Sequence, residues 1–131
     1  MTHPPRFRVT KLHYSCSRRL LELVFEDGAT YTLSAEFLRV FSPSAEVRGH
    51  GPEQETLQTG KSSVSISAIN TVGHYAAQIT FDDGHASGIY SWQYLRDLAE
   101  EQDRYWQKYL RQLAAEGKSR DPEVQVLHFD P

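Results

Sequence analysis

Histidine and cysteine pose the first chemical question, because both can ligate a metal, and near neutral pH imidazole moves protons while a thiolate attacks electrophiles. None of the six histidines forms a His-Glu-x-x-His or His-x-x-x-His pair that would set two imidazoles on one helix face. His3 and His128 fall in terminal segments, His13 lies in a strand-like run and His74 opens another. His50 stands apart in Arg48-Gly-His-Gly51, where glycines on either side allow close backbone approach to a ligand. Backbone N–H groups and an arginine suit a carboxylate or phosphate, which makes Arg48 and His50 candidate binding residues. A glycine-rich turn with a solvated arginine is the structural alternative. The one cysteine, Cys16, excludes an intramolecular disulfide and any multi-cysteine metal site, and suits a reducing compartment. Arg18 and Arg19 beside it would favour the thiolate, yet a thiol at a strand end is more often structural than catalytic. The acidic pairs Glu26-Asp27 and Asp82-Asp83 suit hairpin turns and are not read as a catalytic dyad. Without a phosphate-binding glycine motif, no nucleotide site is indicated. No catalytic residue and no cofactor is assigned.

These residues need elements to position them. A chain of 131 residues accommodates one domain, expected over residues 8–117, with 1–7 and 118–131 as tails because of Pro4-Pro5 and Gly117-Lys-Ser-Arg-Asp-Pro122. Fourteen basic residues against seventeen acidic ones give a net charge of −3, which argues against a nucleic-acid partner. The short apolar runs and the Met1-Thr-His-Pro-Pro-Arg start lead us to expect no membrane contact and a cytoplasmic location.

The pattern within the domain is a repeat. Phe25-Glu-Asp-Gly28 returns 56 residues later as Phe81-Asp-Asp-Gly84, and Leu33-Ser-Ala-Glu-Phe-Leu-Arg39 returns 57 residues later as Tyr90-Ser-Trp-Gln-Tyr-Leu-Arg96. In each copy alternating apolar residues predict a hairpin across the Asp-Gly turn, and Ser34 or Ser91 predicts a helix N-cap. Leu33 with Leu38 and Tyr90 with Leu95 have the spacing of a hydrophobic staple. The extra residue of the second copy is expected at Gly88 as a bulge. Pro43 ends the first helix early, whereas Leu95, Leu98, Trp106, Tyr109 and Leu113 predict a longer second one, with a bend near Glu100-Glu101. The fold class is therefore α+β: a mainly antiparallel sheet of about five or six strands, with two helical segments after the repeated Asp-Gly hairpins. The polar stretch from Ser42 to Gly60 is long for a plain connection and is expected to be the functional surface.

The order of Phe25-Glu-Asp-Gly28, Leu38-Arg39, Ser42-Pro-Ser-Ala45, Phe81-Asp-Asp-Gly-His85, Ile89-Tyr-Ser-Trp92 and Leu95-Arg96 resembles the family named for the N-terminal domain of gamma-butyrobetaine hydroxylase. The resemblance covers about residues 10–100. In that family the domain stands alone in small bacterial proteins of unknown function. It also occurs fused to the hydroxylase's oxygenase domain and to iron–sulfur-carrier ATPases of the Mrp type. In the metal-binding branch Cys-Pro-Cys-x-x-Cys follows the Leu-Arg pair, and a later histidine completes a zinc site. The matching positions here are Ser42, Ser44, Val47 and His85, so the resemblance implies the fold and withholds the zinc. It withholds catalysis as well, because the oxygenase site belongs to another domain.

Two functions follow as expectations. The first is a small non-catalytic accessory or protein-interaction module, linked through the resemblance to iron–sulfur or oxygenase systems, whose partner is another protein or a second copy of the chain. The alternative is a small-anion-binding protein or enzyme working through Arg48 and His50 with Arg39 or His85. An exposed apolar patch would favour the first, and a concave pocket on which those side chains converge the second.

Overall fold

The computed structural model describes residues 8–43, 57–83 and 88–122. Strands β1 (Val9–Ser15), β2 (Leu20–Phe25) and β3 (Thr30–Ser34) form one antiparallel sheet in the order β1-β2-β3. Helix α1 (Ala35–Val40) follows. Strands β4 (Ile66–Val72), β5 (Ala76–Phe81) and β6 (Gly88–Ser91) form a second antiparallel sheet in the order β4-β5-β6, followed by α2 (Trp92–Glu100) and α3 (Gln102–Glu116).

The alternation in the central strands explains the core. Leu21, Leu23 and Phe25 of β2 and Ala77, Ile79 and Phe81 of β5 are buried at every second position. They join Leu33, Leu38, Tyr90, Leu95 and Leu98 in a single hydrophobic cluster. The described residues hold six strands, against the five or six expected in one sheet, and these divide between two sheets of three. Each repeat completes its own strand order before its helix begins, and the two inward faces share one core.

The repeats agree down to individual hydrogen bonds. Register shifts at Val9/Lys11 in the first sheet and at Ile66/Ala68 in the second. At those shifts Thr10 Oγ1 donates to the Val24 carbonyl at 3.1 Å and Ser67 Oγ to that of Thr80 at 3.2 Å. Ser34 and Ser91 each accept from a backbone N–H three residues on, at 3.0 Å, and cap α1 and α2. The Gly88 bulge is corrected: Gly88 stands in register opposite Ile79, as Tyr31 stands opposite Leu23. The extra residue therefore falls between Asp83 and Gly88. Gly88 has its own reason to lack a side chain, since a Cβ there would lie 2.7 Å from Ser42 Oγ and 3.0 Å from Pro43 Cδ.

The helix ends follow the sequence. The expected bend is Glu101, which leaves helical geometry (φ −112°, ψ 22°) and splits the long helix into α2 and α3. Gly117 closes α3 in the left-handed conformation at φ 66°. Beyond Gly117, Ser119 and Arg120 are bonded back onto the domain, at the start of the segment expected to be a tail. Gly60 and Ser62 N–H groups donate to the Ser119 and Arg120 carbonyls at 2.9 and 3.0 Å. Arg120 forms a two-pronged ion pair with Glu36 at 2.7 and 2.8 Å and lies 5.2 Å from the Trp106 ring centroid.

Candidate functional site

The last residue of each Leu-Arg pair reaches across to the other repeat. Arg96, on α2, donates from NH1 and NH2 to the Asp27 carboxylate at 3.2 and 3.0 Å. Its Nε donates to Glu100, one turn later, at 2.6 Å, and its guanidinium lies 5.0 Å from the Phe25 ring and 5.4 Å from the Tyr31 ring. Arg39, on α1, performs the reciprocal act: its Nε donates to Asp83, in the turn after β5, at 2.9 Å. The two Asp-Gly turns and the two helices thus clasp one another in opposite directions. Each ion pair fixes one repeat's helix on the other repeat's hairpin.

Electrostatics follow the geometry. The Arg96 guanidinium, aided by the Ala29 amide, holds the Asp27 carboxyl below the usual carboxylate range. Asp27 in turn raises the pKa of Arg96. Tyr90 is wholly buried, which pushes its phenol upward, against the opposing pull of the Ser42 hydroxyl and the Arg39 charge. The phenol O–H donates to the Leu38 carbonyl. Burial also pushes Tyr109 up to about 12, and its O–H donates to the Gln58 carbonyl at 2.7 Å.

The two corners differ in how well their arginines are satisfied. Arg96 is matched by two carboxylates and two rings. Arg39 shares a single Asp83 oxygen with Lys61, whose Nζ lies 2.7 Å from it. The Arg39 side chain is 8% exposed, and its buried NH1 has no hydrogen-bond partner among the described residues. Four residues after Arg96 stands Glu100; four residues after Arg39 stands Pro43, which carries no carboxylate. Where the first repeat has Tyr31, the second has Gly88, and Ser42 and Pro43 occupy that room.

Of the sequence-derived site residues, Arg39 is a buried clasp residue and Ser42 is fully buried against Gly88 and near Tyr90. Ser44, Val47, Arg48, His50 and His85 lie outside the described residues, as does most of the expected loop surface. Among the described residues no group of three or more His, Cys, Asp or Glu side chains is placed to hold a metal ion. Ser42 offers a neutral, packed hydroxyl, a poor zinc donor. Cys16 is exposed, beside a turn in which Arg19 has φ 55°. No helix among the described residues is long and apolar enough to cross a membrane.

Sequence reading missed Lys61, the Glu36–Arg120 pair and the pairing of each turn aspartate with the opposite repeat's arginine. The signal for the last was present, since Asp27 recurs as Asp83 and Arg39 as Arg96, 56 and 57 residues on, in the two copies of the repeat.

The model of the gamma-butyrobetaine hydroxylase-like, N-terminal family matches residues 12–96. The chain belongs to this family. The matched span holds both Asp-Gly turns and both Leu-Arg pairs, and it stops before α3. Among solved structures, a protein determined by NMR in solution is 47% identical, with a TM-score of 0.77, covering 93% of this chain and 92% of its own. A second NMR solution structure is 45% identical, with a TM-score of 0.76, covering 88% of this chain and 92% of its own. A crystal structure of a protein of unknown function from Acidithiobacillus ferrooxidans, of the DUF971 family, is 37% identical, with a TM-score of 0.61, covering 74% of this chain and 98% of its own. No curated protein matches the chain. The family's domains are thus of unknown function and related to the hydroxylase's N-terminus.

Proposed function

We propose that this domain is a non-catalytic accessory module that binds a protein partner. The observation that carries this reading is the reciprocal clasp. The polar residues that recur across the repeat, Asp27, Arg39, Asp83 and Arg96, are engaged in ion pairs that lock two hairpin-helix units into one body. A rigid body of this kind presents surface. Tyr75 and Ile89, at 58% and 50% exposure, are large apolar side chains open to solvent on the second repeat, with Ile89 on the edge strand β6. The departure of Ser42, Ser44 and Val47 from the thiolate pattern of the metal-binding branch supports a role without zinc. An iron–sulfur or oxygenase system is the class of partner that the family relationship suggests.

The test is affinity purification of the tagged domain from its own source cells, with mass spectrometry, comparing wild type with a Tyr75→Ser, Ile89→Asp variant. One stoichiometric protein partner, depleted in the variant, is expected. Conversion of a small molecule in a cell extract by the purified domain alone would overturn the reading.

A further inference from the structure

The two arginine corners are related by the repeat, so the second shows what the first would accept. Arg96 takes two carboxylates, from Asp27 and Glu100, with Nε, NH1 and NH2 all donating. In the first corner one carboxylate oxygen, Asp83 Oδ2, serves both Arg39 Nε at 2.9 Å and Lys61 Nζ at 2.7 Å. The neighbouring Asp82 is turned the other way, its Oδ1 accepting from the Ser65 amide at 2.9 Å. Two cations therefore meet at one oxygen, while Arg39 NH1 is buried with no acceptor among the described residues. A buried charged N–H without an acceptor is unfavourable, and a carboxylate matches it in charge and shape.

We propose that this corner receives a carboxylate from an acidic side chain of a protein partner, with Lys61 and Arg39 as its cationic contacts. The inference rests on the accessory-module reading and names the chemistry of the partner's group. Lys61 and Asp83 form the solvent-facing rim, with 21% and 20% of their side chains exposed, and Arg39 lies beneath them as the floor. The carboxylate enters by opening the Lys61–Asp83 contact and accepts from Arg39 NH1, as an Asp27 oxygen does from Arg96 NH1. The partial exposure of the Lys61–Asp83 rim and its excess of cations, with Lys61 and Arg39 meeting at one Asp83 oxygen, favour an acidic side chain carried on a protein surface over a free small acid.

The experiment is an NMR titration of the full chain, following the arginine Nε–Hε resonances. The probes are a blocked tetraglutamate peptide, sodium glutarate and a blocked tetralysine peptide. Tetraglutamate is expected to move the Arg39 resonance saturably and leave that of Arg96 in place, with glutarate at least tenfold weaker and tetralysine silent. Lys61→Ala, a rim substitution, is expected to weaken the peptide about tenfold. An unmoved Arg39 resonance, equal affinity in Lys61→Ala, or glutarate binding as tightly as the peptide would each overturn the proposal. A purified partner that binds wild type and Lys61→Ala equally would sink this inference while leaving the accessory-module reading standing.

Discussion

Leu38 and Leu95 test whether the two repeats are energetically as well as geometrically equivalent. Both sit four residues after a serine cap, both are fully buried, and both belong to the same hydrophobic cluster. Replacing either with alanine removes three carbon groups, worth about 2.4 kcal/mol at roughly 0.8 kcal/mol each. If the vacated space stays open, the lost packing adds up to about 2 kcal/mol more. Each variant should therefore lose about 2.5–4.5 kcal/mol, and the two losses should agree to within about 1 kcal/mol because their surroundings are related by the repeat. Such a loss is a large fraction of the roughly 5–15 kcal/mol that holds a typical domain together. Urea titration followed by tryptophan fluorescence and far-UV circular dichroism measures it, provided both probes report one transition. A loss below about 1 kcal/mol in either variant would show that its side chain does not anchor the shared core. A large loss in one variant and a small one in the other would refute the equivalence of the repeats.

Asp27 carries a pH dependence. Its carboxyl is held below the unfolded value mainly by Arg96, so its contribution to stability is full above the unfolded pKa, near 3.8, and is lost as pH falls through the lower folded pKa. Urea midpoints measured from pH 5 to pH 2 should show a smaller acid decline in Asp27→Asn than in wild type; parallel curves would contradict the assignment. Arg120→Ala should destabilise by about 1–3 kcal/mol, because it leaves the Glu36 carboxylate, 8% exposed, without its two-pronged partner. The same change should alter Trp106 fluorescence, since the guanidinium lies over that ring; an unchanged spectrum and midpoint would return residues 118–122 to the status of a tail. Gly88→Ala should cost about 1–3 kcal/mol by thermal denaturation, as its new Cβ would crowd Ser42 and Pro43. A neutral outcome would mean that Ser42 and Pro43, after α1, approach β6 less closely than described.

Local chemistry made the elements legible in the sequence. Alternation at Leu21, Leu23 and Phe25, the Asp27-Gly28 turn, the Ser34 and Ser91 caps, the Gly117 stop and the bend at Glu101 are decided by residues a few positions apart, so each appears in the sequence as a pattern. The repeat and the family motifs were equally visible, and with them the α+β class. Three things required the tertiary structure. The division of six strands into two sheets depends on which strand edges meet in space. The bonding of Arg39 to Asp83 and of Arg96 to Asp27 joins residues 44 and 69 positions apart, where no local spacing rule applies. The difference between the corners depends on three-dimensional neighbours: an arginine satisfied by Glu100 one helical turn away looks in sequence much like one whose helix stops before Pro43. Only burial shows that the second is left with an N–H facing no acceptor among the described residues, because in water that group would bond to solvent and carry no information.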